Sequence, residues 1–167
     1  MISDRLRPAG RVIATIAVMA VAGAASAQDL VATGAGLWAG AADCRSCHGW
    51  AGDGIGEARL TGFGLSLRQT KLTEDQIRIT IMCGRLESPM PQYDRRAYTD
   101  ERCDGLIFTD LSNLGPPNSA APLEKGEIDA LAAFVARRLK GAGAVTRSEC
   151  MAFFGPGGSQ TCLRYGE

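Results

Sequence analysis

The chain has a single histidine, His48, among 167 residues. That alone removes any metal site built on several imidazoles and any pair of histidines sharing acid–base work. Net charge is also missing: 18 basic and 18 acidic residues cancel, so gross electrostatics gives no case for a nucleic-acid partner. Aromatic residues number only 10, against 21 glycines, which describes a small, loop-rich protein organised around something other than its own core. Long apolar runs are lacking too. The stretch Val12–Ala25 is uncharged for about 14 residues, short of the ~20 that cross a bilayer as a helix, and no later segment is longer. At this length one domain with a modest core is expected, not a large enzyme with its own nucleotide-binding fold.

The apolar run has a processing context. Arg5, Arg7 and Arg11 precede it, and it runs into Ala25-Ser26-Ala27 before Gln28. A positive start, a short apolar middle and an Ala-x-Ala site make residues 1–27 a secretory signal peptide, with cleavage after Ala27 and export to the periplasm expected. The alternative is an uncleaved anchor. Cleavage removes three arginines and Asp4, leaving 15 basic and 17 acidic residues, a net charge of −2. The mature chain then has no membrane span.

Beyond the signal the chain reads as a helical protein with no convincing β-alternation and no repeat. Gly36–His48 is compatible with a helix, and Gly52–Gly64 is a glycine-rich loop. Thr73–Gly84 has a threonine that can cap, acids in the first turn and a glycine stop. Residues 85–123 carry five prolines and no period, and a loop this long is normally functional or pinned. The segment 123–140 is the strongest helix, with Ile128, Leu131, Phe134, Val135 and Leu139 along one face, acids at its start and Arg137, Arg138 and Lys140 at its end. A glycine-containing tail, 141–167, follows. Residues 28–140 are expected to form the domain and 141–167 an extension packed on it.

The chemistry is concentrated in Cys44-Arg-Ser-Cys47-His48. On a helix, spacings of three and four place both thiols and the imidazole on one face. Two thiols so placed can form thioethers with the vinyl groups of a haem, and the adjacent imidazole can reach the iron; Cys-x-x-Cys-His reads as c-type haem attachment. Two other readings compete. A redox dithiol wants a βαβ setting, and none is visible. A tetrahedral zinc site needs further ligands, and no second histidine exists.

With that motif in place the chain resembles the monohaem class I cytochrome c family over most of residues 34–140. Cys47-His48-Gly49, then Gly52-Asp53-Gly54 and Leu60-Thr61-Gly62, look like the family's run after its haem motif. Thr73–Cys83 is similar to its middle helix, Pro89-Met90-Pro91 to its distal ligand loop, and Glu124–Lys140 to its C-terminal helix. Gly36–Asp43 is similar to the helix that leads into the motif in cytochrome subunits of some alcohol dehydrogenases. The resemblance implies an all-α, cytochrome c-like fold of about three main helices around one covalently bound haem c, with Cys44 and Cys47 as thioether anchors and His48 as proximal iron ligand. One departure stands out. The family usually has a proline after the motif whose carbonyl orients the proximal imidazole, and the stretch Gly54–Leu60 has none, so the sequence names no partner for His48.

The sixth ligand, with no second histidine, falls to Met82, Met90 or Met151 in the mature chain. Met82 sits within the middle helix, where a core role is expected, and Met151 lies in the tail. Met90 stands between two prolines on a loop, which fixes the backbone and presents the thioether. His–Met ligation raises a haem potential, as suits an electron carrier. Methionine also fills irregular gaps, and the competing reading gives Met90 that role and leaves the iron an open face.

Cys83, Cys103, Cys150 and Cys162 remain, an even number in an oxidising compartment, hence two disulfides. Of three connectivities, Cys83–Cys103 and Cys150–Cys162 are favoured because each pair flanks one irregular segment. Trp38 and Trp50 flank the motif and can line a pocket or serve as core. Tyr93, Arg95, Arg96 and Tyr98 cluster on the distal loop, and Arg59 and Arg68 are further cations without an assigned role. The expected function is that of a monomeric periplasmic electron carrier rather than an enzyme, cycling Fe(II)/Fe(III) between an exported dehydrogenase, of a quinoprotein type for example, and a downstream oxidase or cytochrome. The alternative is a haem protein with a labile sixth site that binds or transforms CO, NO or peroxide. The porphyrin should supply much of the core, so the haem-free chain is expected to fold poorly.

Overall fold

The structure, a computed structural model, describes residues 26–55 and 64–167. Residues 1–25 of the expected signal segment, the run Leu60-Thr61-Gly62 and Arg59 lie outside the described residues. Within the described residues the chain is all-α, with no strand, and its only β-type pairings are isolated bridges between Gln92 and Asn118 and between Cys103 and Leu106. No helix among them is long and apolar enough to cross a membrane.

Helix α1 spans Ala27–Ala39 and α2 spans Cys44–His48. Ser26 caps α1: its hydroxyl accepts from the Asp29 amide at 3.2 Å while its own amide donates to the Asp29 carboxylate at 2.9 Å. A cut after Ala27 would therefore remove this cap. The stretch Gly36–His48, expected as helix-compatible throughout, is divided in two. The Gly40 amide turns back to Leu37, and Asp43 adopts φ 46°, a left-handed conformation that cannot continue an α-helix.

Helix α3 spans Glu74–Cys83 and is capped as its sequence predicts. The Thr73 hydroxyl accepts from the Gln76 amide at 3.2 Å, and the Gln76 side chain accepts from the Thr73 amide at 2.9 Å. Helix α4 spans Lys125–Phe134 and runs on into one π-helical turn, Val135–Leu139. Of its expected apolar face, Ile128, Leu131, Val135 and Leu139 are buried and Phe134 is half-buried.

The tail corrects the sequence reading. Rather than an irregular segment it forms helix α5, Arg147–Phe154, a 3-10 turn at Gly155–Gly158, and helix α6, Ser159–Cys162. Helices this short do not hold themselves together in water. A disulfide between Cys150 and Cys162, both fully buried, ties them. The second disulfide joins Cys83, at the end of α3, to Cys103 in the long loop. These are the two pairs that the spacing favours. Around Cys83–Cys103 a small satellite core gathers Ala97, Tyr98 and Leu111, and the Tyr98 hydroxyl donates to the Cys83 carbonyl at 2.9 Å.

The main core lies where α1 and α3 meet α4, around Trp38, Ile77, Ile81, Ile128, Leu131 and Val135. The approach of α1 to α4 depends on Gly34. A Cβ there would collide with the Ala130 carbonyl and with the Cβ of Phe134. With only hydrogen at that position, the two backbones come close enough for Trp38, one turn later, to lie against Phe134 at 5.7 Å between ring centroids.

Two outcomes follow. Gly34→Val should force the helices apart and lower stability by about 3 kcal/mol, the upper end of overpacking costs, read as a fall in urea midpoint at unchanged slope. The double change Cys83→Ser, Cys103→Ser opens a loop of 20 residues, and urea unfolding should show a loss of about 3 kcal/mol.

Candidate functional site

Helix α2 delivers Cys44, Cys47 and His48 to one wall of a cavity of about 610 Å³, and the loop after α3 brings Met90 to the same cavity. Helix α3, helix α4 and the π-helical turn after it supply apolar walls through Ile77, Ile81, Leu131 and Val135. The volume lies within the roughly 300–1,000 Å³ typical of small-molecule and cofactor sites. All four residues that the sequence singles out for the haem thus face one space.

His48 is held by backbone. Its Nδ1 lies 2.9 Å from the carbonyl oxygen of Leu65. A carbonyl only accepts, so Nδ1 carries the proton and Nε2 is left with the lone pair that binds a metal. Burial, foremost, pushes the His48 pKa below its ordinary value of 6.5; the Leu65 bond opposes this and the nearby Arg85 charge adds to it. The neutral ring is the ligating form. The Leu65 carbonyl is the partner of His48 that the sequence does not name, since a backbone acceptor leaves no mark in a sequence.

Leu65 is presented by a strap, residues 64–72, docked under α2. The Gly64 amide donates to the Cys47 carbonyl at 2.8 Å, and the Leu67 amide donates to the Gly52 carbonyl at 2.8 Å. The strap passes so close to the imidazole that a Cβ on Gly64 would fall 2.5 Å from Nδ1. Position 64 thus excludes any side chain while His48 keeps this orientation.

Cys44 and Cys47 are free and half-buried. Burial pushes the Cys44 thiol up to about 12, with a smaller opposing effect from Tyr93. A thiol so protonated at neutral pH is a poor nucleophile, which weighs against the dithiol reading. Among the described residues no group of three or more His, Cys, Asp or Glu is placed to hold a metal ion.

Met90 is fixed from both ends. Its amide donates to the Ser88 hydroxyl at 3.3 Å, and its carbonyl accepts from the Arg85 amide at 3.3 Å. Three residues on, the buried Tyr93 donates its hydroxyl to the Ala42 carbonyl at 2.6 Å. That bond ties the methionine loop to the turn just before Cys44, so both sides of the cavity are registered to each other. Met82 is half-buried against both cores, as its helix position predicts.

The other candidates separate. Trp38 is buried and lines the cavity, 6.1 Å from His48 between ring centroids, and its indole N–H has no hydrogen-bond partner among the described residues. Trp50 turns instead to the tail and stacks on Phe153 at 4.8 Å. Tyr98 belongs to the satellite core, while Arg95 and Arg96 are exposed. Arg68 is buried and paired with Glu149 at 3.0 Å. Arg85, which the sequence reading passed over, lines the cavity from an exposed position.

The donor set fits a c-type haem: two thiols, a neutral imidazole with a free Nε2 and a thioether, on an apolar cavity. In comparisons with known proteins, no family model, no curated protein and no solved structure matches the chain. Gly64→Ala tests the geometry of the site directly. The added methyl should displace the imidazole and speed solvent exchange of the His48 Nδ1 proton about tenfold, measured by nitrogen-edited NMR; an unchanged rate would show that the strap does not set the ring.

Proposed function

We propose that this chain is an exported monohaem c-type cytochrome with a cytochrome c-like fold, acting as an electron carrier. The observation that carries the reading is that Cys44, Cys47, His48 and Met90 line one cavity with apolar walls. Cys44 and Cys47 would hold the haem as thioethers, and His48 and Met90 would ligate its iron. Bound there, the haem supplies a one-electron ferrous/ferric couple.

The protein's own part is to position and insulate. The Leu65 carbonyl keeps the proton of His48 on Nδ1 and leaves Nε2 with the lone pair that would ligate the iron. Tyr93, Ser88 and the Cys83–Cys103 bridge hold the loop that brings Met90 to the same cavity. Ile77, Ile81, Leu131 and Val135 keep the surroundings apolar, which itself helps set a redox potential. Residues 28–140 form the haem domain and 141–167 its extension. The partners are an exported dehydrogenase as donor and an oxidase or second cytochrome as acceptor, met in the periplasm by a monomer without a membrane span. Two disulfides support an oxidising compartment.

The test is an optical spectrum of the holoprotein, oxidised, reduced and reduced with CO. A far-red sulfur-to-ferric-iron band in the oxidised protein, abolished in Met90→Ala, and a reduced spectrum unchanged by CO are expected. A high-spin spectrum that shifts with CO would remove Met90 from the iron and favour the small-ligand reading. No haem absorbance, from cells able to mature such proteins, would sink both.

A further inference from the structure

The C-terminal extension grips the protein on the His48 side of the cavity, through one buried cation. Arg68 is 5% exposed and sits on the strap three residues beyond Leu65. Its guanidinium makes six hydrogen bonds. Nε donates to the Gly143 carbonyl at 2.7 Å, and Nη2 donates to the carbonyls of Ala142 and Ala144 at 3.0 and 3.4 Å. Nη1 and Nη2 together take the Glu149 carboxylate in a fork, at 3.0 and 3.1 Å. The sixth bond, from Nη1 to the Ala51 carbonyl at 3.3 Å, reaches the turn just past His48. The Arg68 carbonyl in turn accepts from the Gly141 amide at 2.9 Å.

A second contact runs alongside. Trp50 stacks on Phe153 of α5, and its indole N–H donates to the Tyr165 hydroxyl at 3.3 Å. The extension therefore holds both segments that bracket His48: the turn after the motif and the strap that carries the Leu65 carbonyl. The Arg68 fork holds the Glu149 carboxyl below its ordinary range, so the pair is charged at neutral pH.

We propose that residues 141–167 are a brace for the proximal imidazole, in which Glu149 and Arg68 act as positioning residues that press the Leu65 carbonyl onto His48 Nδ1 and so set the basicity of the ligand. A carbonyl held tightly against Nδ1–H makes the opposite nitrogen a stronger donor and favours ferric iron. Loosening it favours ferrous iron. The consequence for potential rests on His48 being an axial ligand, as proposed above; the bracing itself does not.

The experiment uses the full chain and two charge-removing variants. Glu149→Gln keeps the size of the side chain and removes the charge from the fork. Glu74→Gln, the control, breaks a forked but solvent-exposed pair between Glu74 on α3 and Arg137 in the π-helical turn after α4, away from the strap. Glu149→Gln should speed exchange of the His48 Nδ1 proton about tenfold and shift the one-electron equilibrium toward ferrous by up to tenfold, a rise of about 59 mV. Glu74→Gln should do neither. Should Glu149→Gln not fold, Glu149→Asp, which keeps the charge and shortens its reach, should move both readings the same way by less. Unchanged exchange in the Glu149 variant overturns the brace, and faster exchange with an unmoved midpoint overturns its tuning role. If the wild-type chain carries no haem, the cytochrome reading fails by itself, and the exchange rates still decide whether the tail positions His48.

Discussion

Everything around the cavity is registered by the contact between α1 and α4 at Gly34. Because no side chain stands between Gly34 and the Ala130 carbonyl, the two helices sit backbone to backbone. One turn along, Trp38 then has no room except between Phe134 and the ring of His48. The chain leaves α1 through a tight turn whose Ala42 carbonyl is anchored by Tyr93, and α2 starts there. The position of Cys44, Cys47 and His48 is thus inherited from a helix crossing on the far side of Trp38, and the position of Met90 is inherited from the same turn through Tyr93. In a domain with few large apolar residues, interlocking of this kind substitutes for bulk, since each buried contact must fix more than one element.

Electrostatics shapes the interior by burying one charge, that of Arg68, in a paired site beneath the cavity, while Arg85, which lines the cavity, stays exposed. Burial favours the uncharged imidazole at His48 and the protonated thiol at Cys44. Moving an ion out of water costs several kcal/mol unless its hydrogen bonds and its counter-charge are replaced. Arg68 meets that requirement in full, with four carbonyl bonds and a forked carboxylate. Lysine, with one compact ammonium, could not satisfy that geometry. The glycine and alanine content of 141–144 lets the chain wrap closely enough for three successive carbonyls to converge on one guanidinium.

The parts of this arrangement that show in the sequence are those carried by side chains at fixed spacing. The Thr73 cap, the apolar face of α4, the pairs Cys83–Cys103 and Cys150–Cys162, and the shared face of Cys44, Cys47 and His48 all follow from residue type and separation. What stays hidden is carried by backbone or by partners distant in the chain. The Leu65 carbonyl looks like any other carbonyl, and the need for Gly64 beside it appears only when the strap is placed under α2. Arg68 and Glu149 are 81 residues apart. The tail reads as irregular because short helices there depend on the Cys150–Cys162 bridge rather than on propensity or periodicity. The break between α1 and α2 is hidden for a related reason, since small residues from Gly36 to Asp43 suit a helix and a turn equally.

The two sides of the cavity are secured by different kinds of force, and the difference has a chemical logic under the proposed reading. On the Met90 side the loop is closed covalently by Cys83–Cys103, and the thioether it presents is a weak ligand that gains most from being confined. On the His48 side the ligand is strong, and what matters is the length of one hydrogen bond to its far nitrogen. A covalent bridge would hold that side without any means of adjustment. The charged, hydrogen-bonded fork grips the strap at Arg68, three residues beyond the Leu65 carbonyl that meets the imidazole. The extension is then not an appendage to a finished domain. It holds, through Arg68, the two segments that bracket His48: the turn at Ala51 and the strap that carries the Leu65 carbonyl.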